Sequence, residues 1–409
     1  MMDSTIATRE APEMRRAKRL RLLAALAPLA LVAVLLLLTA RAEYFKHGYA
    51  NLLGFAALGS NYSQHIGING GWVSAVGYDG QFYYYLALRP SLIVTCAHDT
   101  ASCPLDSQGL VRVERILYPM TARLLALGQP GLIPFALLLV NFLAILITAA
   151  LVGQLCAEAG ASRWLGAAAA LYCGETLAFA RDLADPYAAM WLVLAVWLAR
   201  KDRWLWAAAA GAAAILTREQ LIFLVPLLAI PLLAQRRWRT LALTAAILVV
   251  PVAAWQIALH SLYGAWPLLR GDSQAATLDA IPFAGLWAQR AAGDFRLEVL
   301  AVAIPLIATA IVAALALRRD GPRGVLRDPL AAMVLLYTLL VSLNAARQWV
   351  DLWAPSRLAI DATLLAVIVA ARLPTWVRVP YGLLLAATSV ALLLGNVPYI
   401  FGAHPHVLR

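Results

Sequence analysis

The chain has 409 residues, of which 62% are hydrophobic and only 13% are charged. Ordinary globular proteins carry about 25% charged residues, so this composition excludes a soluble domain and indicates a polytopic membrane protein. A net charge of +11 is compatible with nucleic-acid binding, but the basic residues border apolar segments, which favours a role in membrane topology instead.

The N-terminal segment, residues 1–21, is basic and is followed by an apolar run over 22–40. Basic residues flanking a first apolar segment are typical of the cytoplasmic side of a membrane. The apolar run is longer than the core of a typical signal peptide, so we predict a retained membrane anchor. The basic residues of the segment are Arg9, Arg15, Arg16, Lys18, Arg19 and Arg21.

Apolar segments close to the ~20 residues that cross a bilayer recur along the rest of the chain. They predict an all-α, polytopic transmembrane helical bundle of about eleven spans, which form one domain over 22–400. The remaining nine residues, 401–409, are expected to form an extracytoplasmic tail. The predicted spans are 22–40, 131–153, 164–180, 187–199, 204–217, 221–234, 240–260, 298–317, 330–345, 358–371 and 381–400.

Basic clusters between these spans predict the orientation, with the N-terminus inside and the C-terminus outside. Polar residues near the opposite helix ends then fall on the outer face, which indicates a polar cavity that opens outward. The clusters expected to be cytoplasmic are Arg200/Lys201/Arg203, Arg236/Arg237/Arg239, Arg318/Arg319/Arg323/Arg327 and Arg372/Arg378.

The first outer loop, 41–130, is far longer than a simple connector, and such loops are usually functional or separately folded. Two interfacial helices are predicted in it, over 82–88 and 111–125. The second is amphipathic, and its arginines are expected to face lipid head groups. These arginines are Arg112, Arg115 and Arg123.

Asp79 lies in this loop between glycines and aromatic residues, in the run Gly-Tyr-Asp-Gly-Gln-Phe-Tyr-Tyr-Tyr over 77–85. A carboxylate at a membrane surface is suited to accept a proton from a hydroxyl group. Tyr78, Gln81 and Tyr83 are expected to contact the substrate. Two alternatives stay open: Asp79 caps the following helix, and the tyrosines form an interfacial aromatic belt.

Cys96 and Cys103 lie in the same loop, seven residues apart. An oxidising compartment favours a disulfide between them. A zinc site that also uses His98 and Asp99 is the alternative, but the paired spacings usual for zinc are absent. We therefore predict a disulfide and no metal site.

Charged residues near other helix ends complete the set of candidates. Glu175, Asp182 and Glu219 are expected to contact substrate, although Glu175 is equally compatible with a buried ion pair to Arg218. Arginine binds phosphate through a planar fork, and the candidates for this role are Arg218, Arg347 and Arg357. A membrane-interface loop anchored by arginine and tryptophan is the alternative for Arg347 and Arg357.

Several short motifs resemble those of bacterial membrane glycosyltransferases of the GT-C superfamily. They are Tyr-Asp-Gly-Gln-Phe-Tyr-Tyr over 78–84, Arg-Ile-Leu-Tyr-Pro over 115–119, Arg-Asp-Leu-Ala-Asp-Pro over 181–186 and Leu-Thr-Arg-Glu over 216–219. As architecture, the resemblance covers roughly residues 20 to 370.

The resemblance implies an inverting transfer of a sugar from a polyprenyl-phosphate donor to a lipid or glycan acceptor. It places the chain in a bacterial cytoplasmic membrane, with the active site on the extracytoplasmic face. Asp79 matches the acid that deprotonates the acceptor, and a later arginine would hold the donor phosphate. Many members carry paired acids in the first loop, whereas Gly80 follows Asp79 here, so a metal-independent reaction without a cofactor is expected.

Two other functions remain open. A transporter or lipid flippase also places charges inside a helical bundle, but the two halves of the chain show no convincing repeat. A scaffold for envelope assembly would explain the helices, but not the charges concentrated on one face.

Overall fold

The computed structural model describes most of the chain, and its described part is mostly helical, as the composition predicts. The predicted tail 401–409 and residues 1–11 of the basic N-terminal segment lie outside the described residues. The described residues are 12–47, 58–59, 73–74, 78–99, 103, 105, 109–268, 278–291 and 294–396.

The first half of the chain contains one long N-terminal helix, four short helices of the first loop and a series of apolar helices. Two two-residue strands, β1 (Leu58–Gly59) and β2 (Val73–Ser74), pair in parallel. The helices are α1 (Pro12–His47), α2 (Gly80–Leu88), α3 (Leu92–His98), α4 (Gly109–Glu114), α5 (Leu117–Leu125), α6 (Ile133–Glu158), α7 (Trp164–Ala170), α8 (Cys173–Phe179), α9 (Asp185–Arg200) and α10 (Trp204–Thr217).

The second half begins with two 3-10 turns, Glu219–Phe223 and Val225–Ala229, and ends with a long helix. A π-helical turn over Val299–Ala303 precedes α15, which is kinked at Gly321 (φ +63°). The helices are α11 (Ile230–Ala234), α12 (Trp238–Tyr263), α13 (Ala284–Ala288), α14 (Phe295–Glu298), α15 (Ile304–Arg327), α16 (Leu330–Ser342), α17 (Trp353–Leu358), α18 (Ile360–Ala370) and α19 (Thr375–Gly395).

Five helical segments of the described residues are long and apolar enough to cross a membrane. Further apolar helices of 10–17 residues are shorter than a full crossing. The predicted span 164–180 consists of two short helices, α7 and α8, because the helix is interrupted at Leu171 and Tyr172. The predicted segments therefore coincide with helices, but the count of about eleven crossings stays a prediction. The five long segments are Leu26–Tyr44, Pro130–Glu158, Trp238–Tyr263, Phe295–Arg327 and Thr375–Gly395.

The centre of the bundle is α18, whose residues are all buried. It packs against α16, α15 and α9, and also contacts α6, α7 and α19. A helix that is apolar on every side is stable only when other helices surround it. By contrast, α12 exposes large apolar side chains such as Trp238 and Val250, as expected for a helix that faces lipid.

The helix predicted over 82–88 is present as α2, but the helix predicted over 111–125 is two helices, α4 and α5, separated at Arg115 and Ile116. The expectation that its arginines face head groups is wrong. Arg112 and Arg115 point into the protein and pair with acids, and Arg123 donates to the carbonyl oxygens of Ala87 and Leu88. A buried ion pair satisfies a guanidinium that a helical pattern alone places at the surface.

The predicted basic clusters meet at one end of the bundle, which we call the basic end. Arg200 at the end of α9 pairs with Asp328, to which Arg372 also binds. Lys201 pairs with Glu158 at 2.7 Å. Asp185, at the start of α9, lies one helix length away, roughly 24 Å. The opposite end, where Asp185 lies, is called the site end.

Glycine allows close packing between α7 and α6. A Cβ atom at Gly166 would lie 2.1 Å from the backbone oxygen of Ala149 and 2.5 Å from the backbone nitrogen of Gly153. Both neighbours are backbone atoms, so the two helices would have to separate.

We predict that Gly166→Ala destabilises the protein by about 1–3 kcal/mol, as overpacking typically does. Thermal melting of the detergent-purified variant measures the loss. Gly395→Ala is the matched control, since nothing lies within 4 Å of its added Cβ. Equal melting temperatures for the two variants would contradict this account of the packing.

Candidate functional site

Asp79 lies at the site end, in the turn that precedes α2. Its side chain makes no capping hydrogen bond to the helix. The alternative role of Asp79 as the cap of the following helix is therefore not seen. Instead, Oδ1 lies 2.7 Å from Nη2 of Arg112 and Oδ2 lies 2.7 Å from Nη1 of Arg357. The carboxylate therefore bridges two guanidinium groups that belong to α4 and α17.

Aromatic rings pack against both arginines. The guanidinium of Arg112 lies 5.0 Å from the ring centre of Phe82, and that of Arg357 lies 5.5 Å from the ring centre of Tyr78. Tyr78 in turn packs on Trp353, with ring centres 5.9 Å apart. Cation–π contacts of this kind attract a guanidinium to the ring and add to the ion pair that it makes.

Arg181 covers Trp353 from another direction. Its guanidinium lies 4.4 Å from the ring centre of Trp353, and its Nη1 donates to Oε2 of Glu43 at 2.7 Å. The turn after α8 and the end of α1 therefore support the aromatic side of the site.

A second ion pair lies beside the first. Arg115 donates from Nε and Nη2 to the two carboxylate oxygens of Glu219, at 2.7 and 2.6 Å. Its Nη1 donates to the hydroxyl of Tyr83 at 3.3 Å. A bidentate arginine–carboxylate contact fixes the relative orientation of the two groups. Glu219 therefore orients Arg115, which in turn orients Tyr83.

Arg218 lies deeper, among the helices. Its Nη1 is 2.9 Å from Oδ2 of Asp361 and 3.3 Å from Oδ1 of Asp185. The same atom donates to the carbonyl oxygen of Arg357 at 3.4 Å. Glu175 is fully buried, and neither of its carboxylate oxygens accepts a hydrogen bond in the described part of the chain. The ion pair between Glu175 and Arg218 that the sequence left open is not formed.

The ion pairs of the two ends differ in exposure. Six ion pairs of the described residues lie at the site end, and their side chains are at most 17% exposed. At the basic end, every paired side chain is at least 23% exposed. Burying an ion pair costs desolvation that the attraction often fails to recover. Stability alone therefore does not explain why the charges of the site end are buried.

The arginines change the acidity of Asp79. Burial alone would raise the pKa of this carboxyl, but the charges of Arg112 and Arg357 outweigh burial and hold the pKa well below its usual range. Asp79 is therefore ionised at neutral pH. It is also a weak base while both arginines contact it.

The other predicted site residues lie in different surroundings. Gln81 is buried in the first turn of α2. Asp182 is buried in the turn before α9 with a left-handed backbone (φ +51°), a conformation that aspartate adopts more readily than most residues. Arg347 is exposed on the 3-10 turn Ala346–Trp349. Among the three arginines proposed for phosphate, Arg357 contacts Asp79.

Cys96 and Cys103 form a disulfide, with their Cα atoms 4.8 Å apart. Cys156 and Cys173 are buried free thiols. Within the described ranges, no group of three or more histidine, cysteine or acidic side chains is arranged to hold a metal. The expectation of a metal-independent reaction stays a prediction.

Several site residues are not identified by the sequence pattern. Arg112 and Arg115 are predicted at the lipid interface, and neither Asp185 nor Asp361 is among the predicted site residues. The sequence signal that points to Asp361 is an acidic residue inside an apolar segment, which is energetically costly and usually functional. Gly174 is a further case: a Cβ there would lie 2.3 Å from the carbonyl oxygen of Ser356, so it lets α8 approach the helix that carries Arg357.

Comparisons of the chain with protein-family models, with curated proteins and with solved structures find no match. The resemblance to GT-C enzymes thus depends on the short motifs quoted above.

Glu114 links the loop to α12. Gln256 donates from Nε2 to its Oε1 at 2.6 Å, and Trp255 donates from Nε1 to its backbone oxygen at 3.2 Å. Burial, together with the nearby charge of Glu219, raises the pKa of the Glu114 carboxyl above its usual value.

We predict that Glu114→Gln flattens the dependence of stability on pH. A carboxyl with a raised pKa binds its proton more tightly in the folded state, so the parent loses stability as pH rises from the unfolded pKa through the folded one. The variant should match the parent near pH ~4 and exceed it by about 1 kcal/mol or more at alkaline pH. Melting curves of both proteins across this range measure the difference. Parallel pH profiles would show that Glu114 keeps its ordinary pKa.

Proposed function

We propose that this protein is a membrane glycosyltransferase that takes a sugar from a polyprenyl-phosphate donor and transfers it to a lipid or glycan acceptor with inversion. The observation that carries the proposal is the contact of Asp79 with two arginines, in a buried ion-pair cluster at one end of a helical membrane bundle. A carboxylate beside guanidinium groups supplies a proton acceptor next to a phosphate-binding group.

The reaction is a direct displacement. The acceptor hydroxyl oxygen attacks the anomeric carbon and gives its proton to Asp79, while the bond between that carbon and the phosphate oxygen breaks. The lipid phosphate departs with the electron pair, and Arg357 stabilises the charge that develops on it. Tyr78 and Trp353 pack on each other beside this cluster, and the partly exposed edges of their rings are the proposed contacts for a sugar.

The proposal assigns different roles to the remaining candidates. Glu219 orients Arg115 and Tyr83 through its ion pair. Arg218 contacts the backbone of Arg357 and acids within the bundle, so we assign it to positioning Arg357. Arg347 remains a candidate for a bound phosphate at the exposed edge of the same loop.

We predict that Asp79→Asn abolishes transfer without unfolding the protein. The amide keeps the shape of the side chain but accepts no proton at neutral pH, so the rate should fall by about 10²-fold or more. The assay uses purified protein with a panel of polyprenyl-phosphate sugars and lipid acceptors, with melting curves recorded in parallel.

Asp351→Asn is the matched control for this experiment. Asp351 also lies near the site, but it accepts the backbone N–H groups of Trp353 and Ala354, a capping role that asparagine performs as well. Its turnover should equal that of the parent. A folded Asp79→Asn protein with parental turnover would rule out Asp79 as the base.

The proposed location is a bacterial cytoplasmic membrane, with the basic end in the cytoplasm and the site end outside. We predict that Ser91→Cys reacts with a membrane-impermeant maleimide in intact cells, whereas Ser162→Cys reacts only after permeabilisation. Ser91 lies at the site end, and Ser162 lies at the basic end. The native cysteines are either buried or in the disulfide, so the background is low. The reverse labelling pattern would overturn the orientation.

Transport of a lipid or small molecule is the second candidate function. The observation that favours it is the continuation of charged groups from Arg357 into the helices, through Arg218 and Asp361 to the buried Glu175. Buried acids within a bundle are typical of transport pathways. Movement of a labelled polyprenyl-phosphate lipid across proteoliposome membranes, without an acceptor and without sugar transfer, would favour this function.

A further inference from the structure

We propose that Arg112 and Arg357 form a phosphate clamp whose resident occupant is the carboxylate of Asp79, and that a lipid-linked phosphate displaces Asp79 from both arginines. The ligand's identity rests on the proposed glycosyltransferase function. The displacement itself rests on the geometry of three side chains, those of Asp79, Arg112 and Arg357.

The two arginines contact opposite oxygens of one carboxylate. Oδ1 of Asp79 lies 2.7 Å from Arg112 and Oδ2 lies 2.7 Å from Arg357. A phosphate group also presents separate oxygens to separate donors, and arginine binds carboxylate and phosphate through the same fork. The carboxylate therefore occupies the place that two phosphate oxygens would take.

The arginines have supports other than Asp79. Arg112 packs on the ring of Phe82, and Arg357 packs on the ring of Tyr78. Tyr78 is itself packed against Trp353. These aromatic contacts remain when the carboxylate leaves, so the clamp keeps its shape for an incoming ligand. Asp79, by contrast, lies in a turn and makes no capping bond that would hold its side chain.

The charge on the bound phosphate changes during the reaction. A phosphodiester donor carries one negative charge. After transfer, the leaving group is a phosphate monoester, which carries about −1.5 to −2 charge. The attraction to the arginines therefore increases as the bond to the sugar breaks, which stabilises the transition state more than the bound donor.

Displacement also explains how Asp79 can act as a base although its carboxylate is paired with two arginines in the free protein. While both arginines contact the carboxylate, it accepts a proton poorly. Once the phosphate holds the arginines, Asp79 is buried beside an anion, and both conditions favour its protonated form. Binding of the donor thereby converts Asp79 from a counter-ion into a base, and the base becomes active only when the donor is present.

The test measures binding of dodecyl phosphate to the purified full-length protein by calorimetry, with no sugar and no acceptor. Because Asp79→Asn removes the competing carboxylate, this variant should bind dodecyl phosphate about tenfold or more tightly than the parent. Arg112→Gln and Arg357→Gln should each weaken binding by about tenfold or more. Asp351→Asn removes a nearby negative charge from a side chain that accepts the backbone N–H groups of Trp353 and Ala354. The affinity of this variant should match that of the parent.

Two further measurements keep the result interpretable. If Asp79→Asn is less stable because its arginines lack a counter-ion, dodecyl phosphate should raise its melting temperature more than that of the parent. Inorganic phosphate should bind more weakly than dodecyl phosphate, and equal affinities would overturn the assignment to a lipid phosphate.

Unchanged or weaker binding by a folded Asp79→Asn protein would overturn the displacement. Such a result leaves the proposed transfer reaction intact, since transfer is measured separately with donor and acceptor. Conversely, tighter binding by Asp79→Asn, together with a parent protein that transfers no sugar in the panel assay, supports the clamp and argues against the reaction.

Discussion

The site depends on the electrostatic requirement that a buried carboxylate have a partner. Asp79 is almost fully buried, and an isolated charge in such a place is strongly unfavourable. Its two partners come from α4, in the first loop, and from α17, whose Arg357 lies 278 residues after Asp79 in the chain. This contact therefore joins the loop to the last third of the chain, and the helices that carry Arg112 and Arg357 meet at Asp79.

The ion pairs at the two ends of the bundle differ in exposure, and this difference indicates different roles for the two sets of charges. Exposed ion pairs such as Arg237–Asp202 contribute little to stability, usually less than about 1 kcal/mol. Clusters of positive charge such as these are typical of the cytoplasmic side of a membrane protein. The buried pairs of the site end carry a desolvation cost that well-packed apolar side chains would avoid. Such an arrangement is expected to persist where the charges act on a ligand.

The helices were largely predictable from the sequence, because apolar length and basic flanks directly reflect the requirements of a bilayer. The motif around Asp79 singled out a residue that the structure places in a buried ion-pair cluster. The partners of Asp79 were not predictable in the same way: Arg112 lies in an amphipathic pattern that suits a membrane surface equally well, and only the tertiary fold decides which side it faces. The break between α7 and α8 was missed because apolar residues continue through Leu171 and Tyr172, so hydropathy alone shows no interruption.

The charged groups form two layers with different surroundings. The outer layer is Asp79 with Arg112 and Arg357, which lie in a turn and in two short helices outside the long apolar segments. The inner layer, Arg218 with Asp361 and Asp185, lies among the helices and contacts the outer layer through the backbone oxygen of Arg357. A hydrogen bond to a backbone oxygen leaves the guanidinium of Arg357 available for a ligand. The inner layer is thus suited to hold α17 in place, while the outer layer contains the groups assigned to the proposed transfer.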